Sequence, residues 1–201
     1  MISAENLFGF STERYGRDGP NNSESSEVHN NFGVLSRSWG TTTAHGPWIG
    51  AHYFIIPNLS LGATLGFQTA GGSTTDTTTA RTITEDSDSQ FGFILLPKVG
   101  YALMFNNMLG FWFRGGIGYM RASTTSATNP DNGSAAGYGF LSLDALFVIT
   151  PVQYIGFYVG PQGNLSFAGS VSSTTNTTTV SWDASYRSFS IDAGLLGYFD
   201  L

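Results

Sequence analysis

The charged side chains that could do chemistry in this chain are few, and several of them stand among alternating apolar residues. The 201 residues include 8 Lys and Arg, 14 Asp and Glu, and 3 His. Lys98, Arg114, Asp144 and Asp192 each stand beside bulky apolar neighbours. In an extended strand alternate side chains point to opposite faces, so we expect these four charges on the face opposite the apolar one. Two cations and two carboxylates on such a face could form ion pairs.

Distances along the chain predict that these charges share one height. Lys98 stands about nine residues before the Asn106-Asn107 turn, and Arg114 about seven residues after it. Asp144 lies about eight residues before the centre of the next turn, and Asp192 nine residues before the last residue. At about 3.3 Å per residue, all four fall within one narrow belt across the strands.

Glu5 and His52 belong to the same face and lie slightly lower than the other four residues. The predicted lumen charge cluster is Lys98, Arg114, Asp144, Asp192, Glu5 and His52. We interpret it as a salt-bridge plug that fills the interior, with no function beyond closing it. A proton relay or a gated ion path is the alternative.

The histidines give little support to catalysis. His29 and His45 lie in the first loop region, and a lipid hydrolase would need a His beside a Ser with a third orienting group. His45 beside 41–43 is the nearest approximation, and its spacing is not distinctive. We therefore expect no catalytic residue.

Metal and cofactor sites are also weakly supported. The chain has no Cys, so it forms neither disulfides nor thiolate metal sites. Asp76, Glu85, Asp86 and Asp88 could bind Ca²⁺ loosely, but a solvated acidic loop is the favoured interpretation. We expect no metal and no cofactor. The net charge of −6 without a basic stripe argues against nucleic acid as a partner.

The elements that position these residues are β-strands with two different faces. From Leu59 to Phe67, bulky apolar residues alternate with Ser, Thr and Gly, and this pattern recurs through most of the chain. Charged residues make up only 11%, aromatic residues 14%, and 26 residues are Gly. This composition is typical of a transmembrane β-barrel, in which the apolar face meets lipid and the other face lines a polar lumen. No run of 18 apolar residues predicts a helical span.

Short turns alternate with long polar segments along the chain. The turns are at 57–58, 106–107 and 150–153, and the long polar segments are 71–89, 123–136 and 169–181. Eight strands are predicted, at 4–15, 47–56, 59–70, 90–105, 109–122, 137–149, 154–168 and 182–201. We expect one domain over 1–201, with 28–45 as a first long loop or a strand extension above the membrane. A ten-stranded barrel, or a segment outside the wall, is the alternative for this region.

The polar segments are rich in hydroxyl groups. Thr74, Thr77, Thr124, Thr175 and Thr178 represent the predicted surface loops. Because Thr favours strands, we expect strands to continue past the bilayer as a protruding wall with Thr ladders. Such a wall could bind partners edge to edge or form an adhesive surface. The simpler alternative is that polar loops only resist aggregation and proteolysis.

Several segments carry a resemblance to known proteins. They are Phe8-Gly-Phe-Ser-Thr-Glu-Arg, 57–67, Leu109-Gly-Phe-Trp-Phe-Arg-Gly-Gly-Ile-Gly-Tyr119 and Ala193-Gly-Leu-Leu-Gly-Tyr-Phe199. Together they resemble the small Gram-negative outer-membrane β-barrels of the OmpA/OmpX type. The last strand is similar to the assembly signal of such proteins, but it ends in Leu201 where Phe or Trp is usual. The resemblance implies a closed, antiparallel, up-and-down barrel with long extracellular loops and short periplasmic turns.

From these patterns we expect an integral protein of the bacterial outer membrane with a structural, surface-interaction or adhesion role. The alternatives are a narrow ion or small-solute channel and a lipid A-modifying barrel enzyme. Expected partners are outer-membrane lipid and lipopolysaccharide, and a surface protein or glycan through the loops. We expect a monomer, with self-association as the alternative. A soluble lipocalin-like binder is the competing fold, and it would need an apolar cavity where strand parity predicts a polar one.

Overall fold

A computed structural model describes residues 1–18, 24–34, 37–39, 42–46, 48–77 and 82–197. Eleven strands make up nearly all of this part of the chain. They are β1 (Ile2–Asp18), β2 (Glu24–Val34), β3 (Arg37–Trp39), β4 (Thr42–Gly46), β5 (Trp48–Ile56), β6 (Leu59–Thr77), β7 (Thr82–Met104), β8 (Leu109–Thr125), β9 (Gly133–Val152), β10 (Ile155–Thr175) and β11 (Thr178–Gly197). No helix within these ranges is long and apolar enough to cross a membrane.

Eight of the strands close into a ring. The order is β1, β5, β6, β7, β8, β9, β10 and β11, and β11 pairs back onto β1. Neighbours in the ring are antiparallel, and the closing pair runs from Ile2 opposite Gly197 to Arg17 opposite Ala184. The predicted eight-stranded, up-and-down barrel is confirmed. The alternation of bulky and small residues explains the closure, because each strand must turn one face outward and one inward.

The second edge of β1 is divided between two strands. β5 covers its first residues, from Ile2 opposite Ala51 to Glu5 opposite Trp48. β2 covers the rest, from Phe8 opposite Val34 to Asp18 opposite Glu24. In the described part of the chain β2 is therefore an added ninth strand on the upper half of β1. β3 and β4 form a separate two-stranded sheet.

The two ends of the barrel differ. We call the end with the short connections at 57–58, 105–108 and 153–154 the turn end, and the opposite end the loop end. At the loop end the strands continue into the polar segments, so that β6 reaches Thr77 and β7 begins at Thr82. β10 and β11 are joined by Asn176-Thr177 alone, and both residues have positive φ, 47° and 73°. Two positive φ values are the backbone of a tight hairpin turn.

The outer surface is apolar. Large apolar side chains of β7 and β8 are exposed, among them Phe91, Leu95, Phe113 and Ile117, and Leu143 on β9 is 70% exposed. A soluble barrel would bury such residues, whereas a membrane barrel turns them toward lipid.

The interior is polar at mid-height, but it also contains two clusters of buried apolar side chains, one toward each end. The turn-end cluster is Ala102, Trp112, Leu146, Val148, Tyr158 and Leu196. The loop-end cluster is Trp48, Ile94, Leu96, Met120, Tyr138, Phe140 and Tyr186. The continuous apolar run 93–96 concealed part of this, because a run without alternation does not show which of its residues point inward. The polar layer with the charges lies between the two clusters.

Candidate functional site in the barrel interior

Four charged side chains meet at mid-height and form a closed set of ion pairs. Lys98 Nζ lies 2.8 Å from Asp144 Oδ2 and 3.4 Å from Glu5 Oε2. Arg114 Nη1 lies 2.6 Å from Glu5 Oε1, and its Nη2 lies 2.7 Å from Asp144 Oδ2. Each cation thus contacts both carboxylates. Two positive and two negative charges balance, and all four side chains are almost fully buried.

The strands that carry these residues explain why the cluster closes the bore. Arg114 on β8 and Asp144 on β9 are direct register partners. Glu5 is on β1, which is four strands from β8 in either direction around the ring of eight. The pair of Glu5 and Arg114 therefore crosses the full diameter of the barrel. A barrel of eight strands is just wide enough for side chains to fill it.

Neutral polar groups occupy the remaining acceptor positions of the two carboxylates. Ser3 Oγ donates to Glu5 Oε1 at 3.0 Å, and Thr64 Oγ1 donates to Glu5 Oε2 at 3.0 Å. Gln162 Nε2 donates to Asp144 Oδ1 at 3.0 Å. Satisfied lone pairs are a condition for a buried ion pair to be tolerated. Ser3 and Thr64 are not among the predicted lumen residues, although Ser3 shares the parity of Glu5 and Thr64 lies on the small-residue face of β6.

Close packing around the cluster depends on glycine, which has no side chain to fill the space that its neighbours occupy. A Cβ added at Gly50 would overlap with the side chains of Ser3 and Glu5. On the turn side, the guanidinium carbon of Arg114 lies 4.6 Å from the centre of the Trp112 ring. This ring supports the guanidinium from below by a cation–π contact.

His52 lies at the edge of the cluster. Its Nε2 is 3.9 Å from Glu5 Oε1, and its ring packs edge-on to Trp112 at 4.7 Å between centroids. Neither ring nitrogen has a hydrogen-bond partner within the described residues. Asp192 is buried as well, but it accepts a hydrogen bond from Ser190 Oγ at 2.9 Å. The four ion pairs above do not include it, so the structure brings together four of the six predicted residues, with His52 beside them.

The interior contains a Ser, a His and a carboxylate without the geometry of a hydrolase. Ser3 donates its hydroxyl to Glu5, and among the described side chains no hydroxyl donates to a His52 ring nitrogen. A nucleophile must be hydrogen-bonded to its base to be activated. His29 is on β2, where its Nε2 lies 3.3 Å from Glu27 Oε2. The side chain of His45 on β4 lies outside the described residues.

The acidic residues of the β6–β7 hairpin form no described cation site. Within the described side chains there is no group of three or more His, Cys, Asp or Glu that could hold a metal ion. Asp88 accepts a hydrogen bond from the backbone N–H of Ala127 at 3.0 Å. The side chains of Asp76, Glu85 and Asp86 lie outside the described part.

The predicted surface threonines lie at the loop-end tips of strands. Thr74 and Thr77 are in β6, and Thr124 is in β8. Thr175 and Thr178 are register partners beside the β10–β11 turn. Below them, the hydroxyls of Thr174 and Thr179 are hydrogen-bonded to each other at 2.9 Å. In the β10–β11 hairpin the hydroxyl-rich segment thus forms paired strands that extend the wall.

Three solved structures are similar to this chain. Neisserial surface protein A is 11% identical over 97% of this chain and 99% of its own, with a TM-score of 0.51. The attachment invasion locus protein Ail of Yersinia pestis is 12% identical over 96% of each chain, with a TM-score of 0.43. The outer membrane protease OmpT of Escherichia coli is 12% identical over 98% of this chain and 95% of its own, with a TM-score of 0.46.

No family model and no curated protein sequence matches the chain. The likeness to the Neisserial protein shows the fold, which is that of a small outer-membrane β-barrel. The closed ring and the apolar exterior are those of an integral, bilayer-spanning protein of the bacterial outer membrane. In such barrels the turn end faces the periplasm and the loop end faces outward.

Proposed function

We propose that this chain is a closed, non-enzymatic outer-membrane barrel whose extended Thr- and Ser-rich wall makes contacts at the cell surface. The observation that carries the proposal is strand length. β6, β7, β9, β10 and β11 have 19, 23, 20, 21 and 20 residues, whereas a tilted strand needs only about 9–11 residues to span the hydrocarbon core. About half of each strand therefore extends beyond it.

The chemistry of the projecting half suits recognition. In the β10–β11 hairpin, residues 169–181 carry hydroxyl and amide groups, such as those of Thr174, Thr179 and Asn176, and no charged side chain. Hydroxyl ladders can donate to and accept from sugars and extended peptides alike. β2 adds a further strand to this half of the sheet, and exposed strand edges bind peptides by adding another strand.

The closed bore supports a role at the surface over a role in transport. The pair of Glu5 and Arg114 crosses the diameter, and an apolar cluster lies above it at the loop end. A conducting pore of this width would need a continuous hydrated path, and the ion pairs at mid-height leave little space for one.

Trimming the wall tests the surface role. Ser170 and Asp183 are register partners, so residues 171–182 can be replaced by an Asn-Gly turn that keeps the strand pairing below. Bacteria that display the full chain should bind host cells or matrix-coated surfaces, and the trimmed variant should lose about tenfold or more of that binding.

The matched control leaves the wall intact. Lys98→Met with Asp144→Leu replaces one ion pair in the lumen by apolar groups, and its surface binding should equal that of the parent chain. Equal binding by the trimmed variant, at equal surface display, would refute the surface role.

Planar bilayer recordings test the closed bore. The parent chain should give no steady single-channel steps, whereas Arg114→Ala, which removes the group that crosses the diameter, should give small or flickering currents. Stable, ion-selective steps from the parent chain would instead favour the channel alternative.

Mass spectrometry of lipid A from cells with and without the protein should show identical species, and a new species would favour the enzyme.

A further inference from the structure

Two arginines stand directly opposite each other on the outer surface of the barrel. Arg14 on β1 and Arg187 on β11 are register partners, and both side chains are exposed. Directly opposed residues on antiparallel strands have Cβ atoms about 4.5–5.5 Å apart, and like charges in such positions destabilise the sheet. An anion bound between the two guanidinium groups would therefore remove a repulsion that destabilises the sheet.

The height of the pair corresponds to a membrane surface. Arg14 lies 12 residues after Ile2, and Arg187 lies 10 residues before Gly197, both counted from the turn end. With about 3.3 Å per residue and a tilt of about 35–45°, these counts place the pair about 25–30 Å from that end, where an apolar band about 25 Å tall ends. Phe10, Phe189 and Ile191 lie just below it and are exposed to the hydrocarbon.

The register partners that flank the pair are uncharged. On the strands that flank the pair, Val28 of β2 is the register partner of Arg14, and Leu165 of β10 is the register partner of Arg187. Within the described residues neither arginine has an ion pair. Asp183 is the carboxylate nearest to Arg187 along β11, about 13 Å further toward the loop end. Glu13, next to Arg14 in the chain, is buried in the interior.

We propose that Arg14 and Arg187 form a binding site for the phosphate of a phosphorylated lipid headgroup in the leaflet at the loop end. A phosphate between two guanidinium groups accepts charge-assisted hydrogen bonds from both and removes their repulsion. The apolar neighbours Val28, Leu165 and Phe189 would lie against the acyl chains of the same lipid. A lipid therefore fits this site better than a free anion does. This inference does not depend on the proposed surface role.

Native mass spectrometry of the full chain in neutral detergent, titrated with bisphosphorylated lipid A, tests the site. Arg14→Ala and Arg187→Ala should each weaken the tightest binding event by at least about tenfold, and the double variant little further, because both groups hold one phosphate. The matched control is Arg121→Ala. Arg121 is also exposed and 12 residues from the start of its strand, but it faces Phe93 and Gly137, so its affinity should change by less than about twofold.

Stability against denaturant gives a second readout, because the expected effect of each substitution reverses when lipid A is added. Without lipid, each single variant should unfold at the same or a higher denaturant concentration than the parent, because one repulsive charge is gone. With lipid A, each should unfold at a lower concentration than the parent. Dephosphorylated lipid A should remove this difference. Parent-like binding by the double variant, an equal loss in Arg121→Ala, or an equal stability shift with inorganic phosphate alone would overturn the proposed lipid site.

Discussion

At the scale of residues, the ionic cluster can be understood as a balanced set that is sensitive to any single loss. Glu5, Lys98, Arg114 and Asp144 each contact two partners of opposite charge. A buried pair contributes little net stability compared with apolar groups, but the loss of one partner leaves a buried charge uncompensated. The cluster therefore fixes which barrel forms more than it stabilises that barrel.

Arg114→Ala should be strongly destabilising. It leaves Glu5 and Asp144 with Lys98 alone, so the barrel interior carries an unbalanced negative charge. We expect a loss of about 3–5 kcal/mol in the free energy of unfolding, measured by urea titration of the chain folded into lipid vesicles.

Two comparisons separate charge balance from packing. Arg114→Met with Asp144→Leu keeps one neutral pair, Lys98 with Glu5, and should recover most of the loss. Arg121→Ala, which removes an exposed arginine, should stay within about 0.5 kcal/mol of the parent. A single Arg114→Ala variant that unfolds at the parent's urea concentration would contradict the plug.

Strand parity predicted six titratable residues in the interior, and all six are buried, but it did not single out Glu13, which is buried there as well. It could not predict their partners. Counting from the turns put Asp192 at the height of Lys98, but strand tilt and the irregular register of β1 between Ala4 and Phe8 change relative heights. Ser190, two residues away on the same face, donates a hydrogen bond to Asp192. Side-chain contacts across a lumen depend on tilt and closure, which a single strand's pattern does not encode.

At the scale of elements, small residues on one strand make room for large ones on the next. Gly118 of β8 is the register partner of Phe140 of β9, and a Cβ added at Gly118 would overlap with the Phe140 ring. The loop-end apolar cluster depends on this fit, because Phe140 is one of its most deeply buried members.

Gly118→Val should therefore lower the free energy of unfolding by about 1–3 kcal/mol through overpacking. Gly163 of β10 offers a matched control, because a Cβ there would meet nothing within 4 Å. Gly163→Ala should leave the stability unchanged or raise it by up to about 1 kcal/mol. Chemical denaturation of both variants in the same micelles makes the comparison, and equal losses would show that the Phe140 contact is unimportant.

The sequence predicted the eight elements of the ring better than their ends. Alternation is clear from 59 to 67, so the existence and facing of such strands follow from it. It fades in Thr-rich segments such as 172–179, where both faces meet water and no change in hydrophobicity marks the end of a strand. Hydrogen bonding in the β10–β11 hairpin, and not burial, carries those strands to Thr175 and Thr178.

At the scale of the whole molecule, the barrel reverses the arrangement of a soluble protein. Bulky apolar side chains such as Phe67 and Leu143 face outward, whereas Lys98 and Asp144 are buried. This reversal fixes the strand register, because a slip of one residue would move the charges into hydrocarbon.

Leu143→Arg tests this reversal. Leu143 is the register partner of Gly115 and Gly163, next to the mid-height residue Asp144, so the arginine would face the centre of the bilayer. It should cost about 2–4 kcal/mol of unfolding free energy in lipid vesicles. Thr178→Arg, at the exposed tip of β11, should change stability by less than about 0.5 kcal/mol. Equal stability of the two variants would mean that Leu143 does not face lipid.

The edge of β1 that pairs with β11 has a consequence for how the protein is made. Its closing contacts join Ile2 to Gly197, nearly the whole chain apart, so contact order is high and ring closure must be among the last and slowest events. Until β11 pairs with it, one edge of β1 has unpaired backbone N–H and C=O groups. The local hairpins from β5 to β10 can already form during this time. The cellular machinery that assembles the barrel would therefore have to shield this unpaired edge. An unshielded edge could pair with the wrong strand, so β1 is the strand most exposed to misassembly.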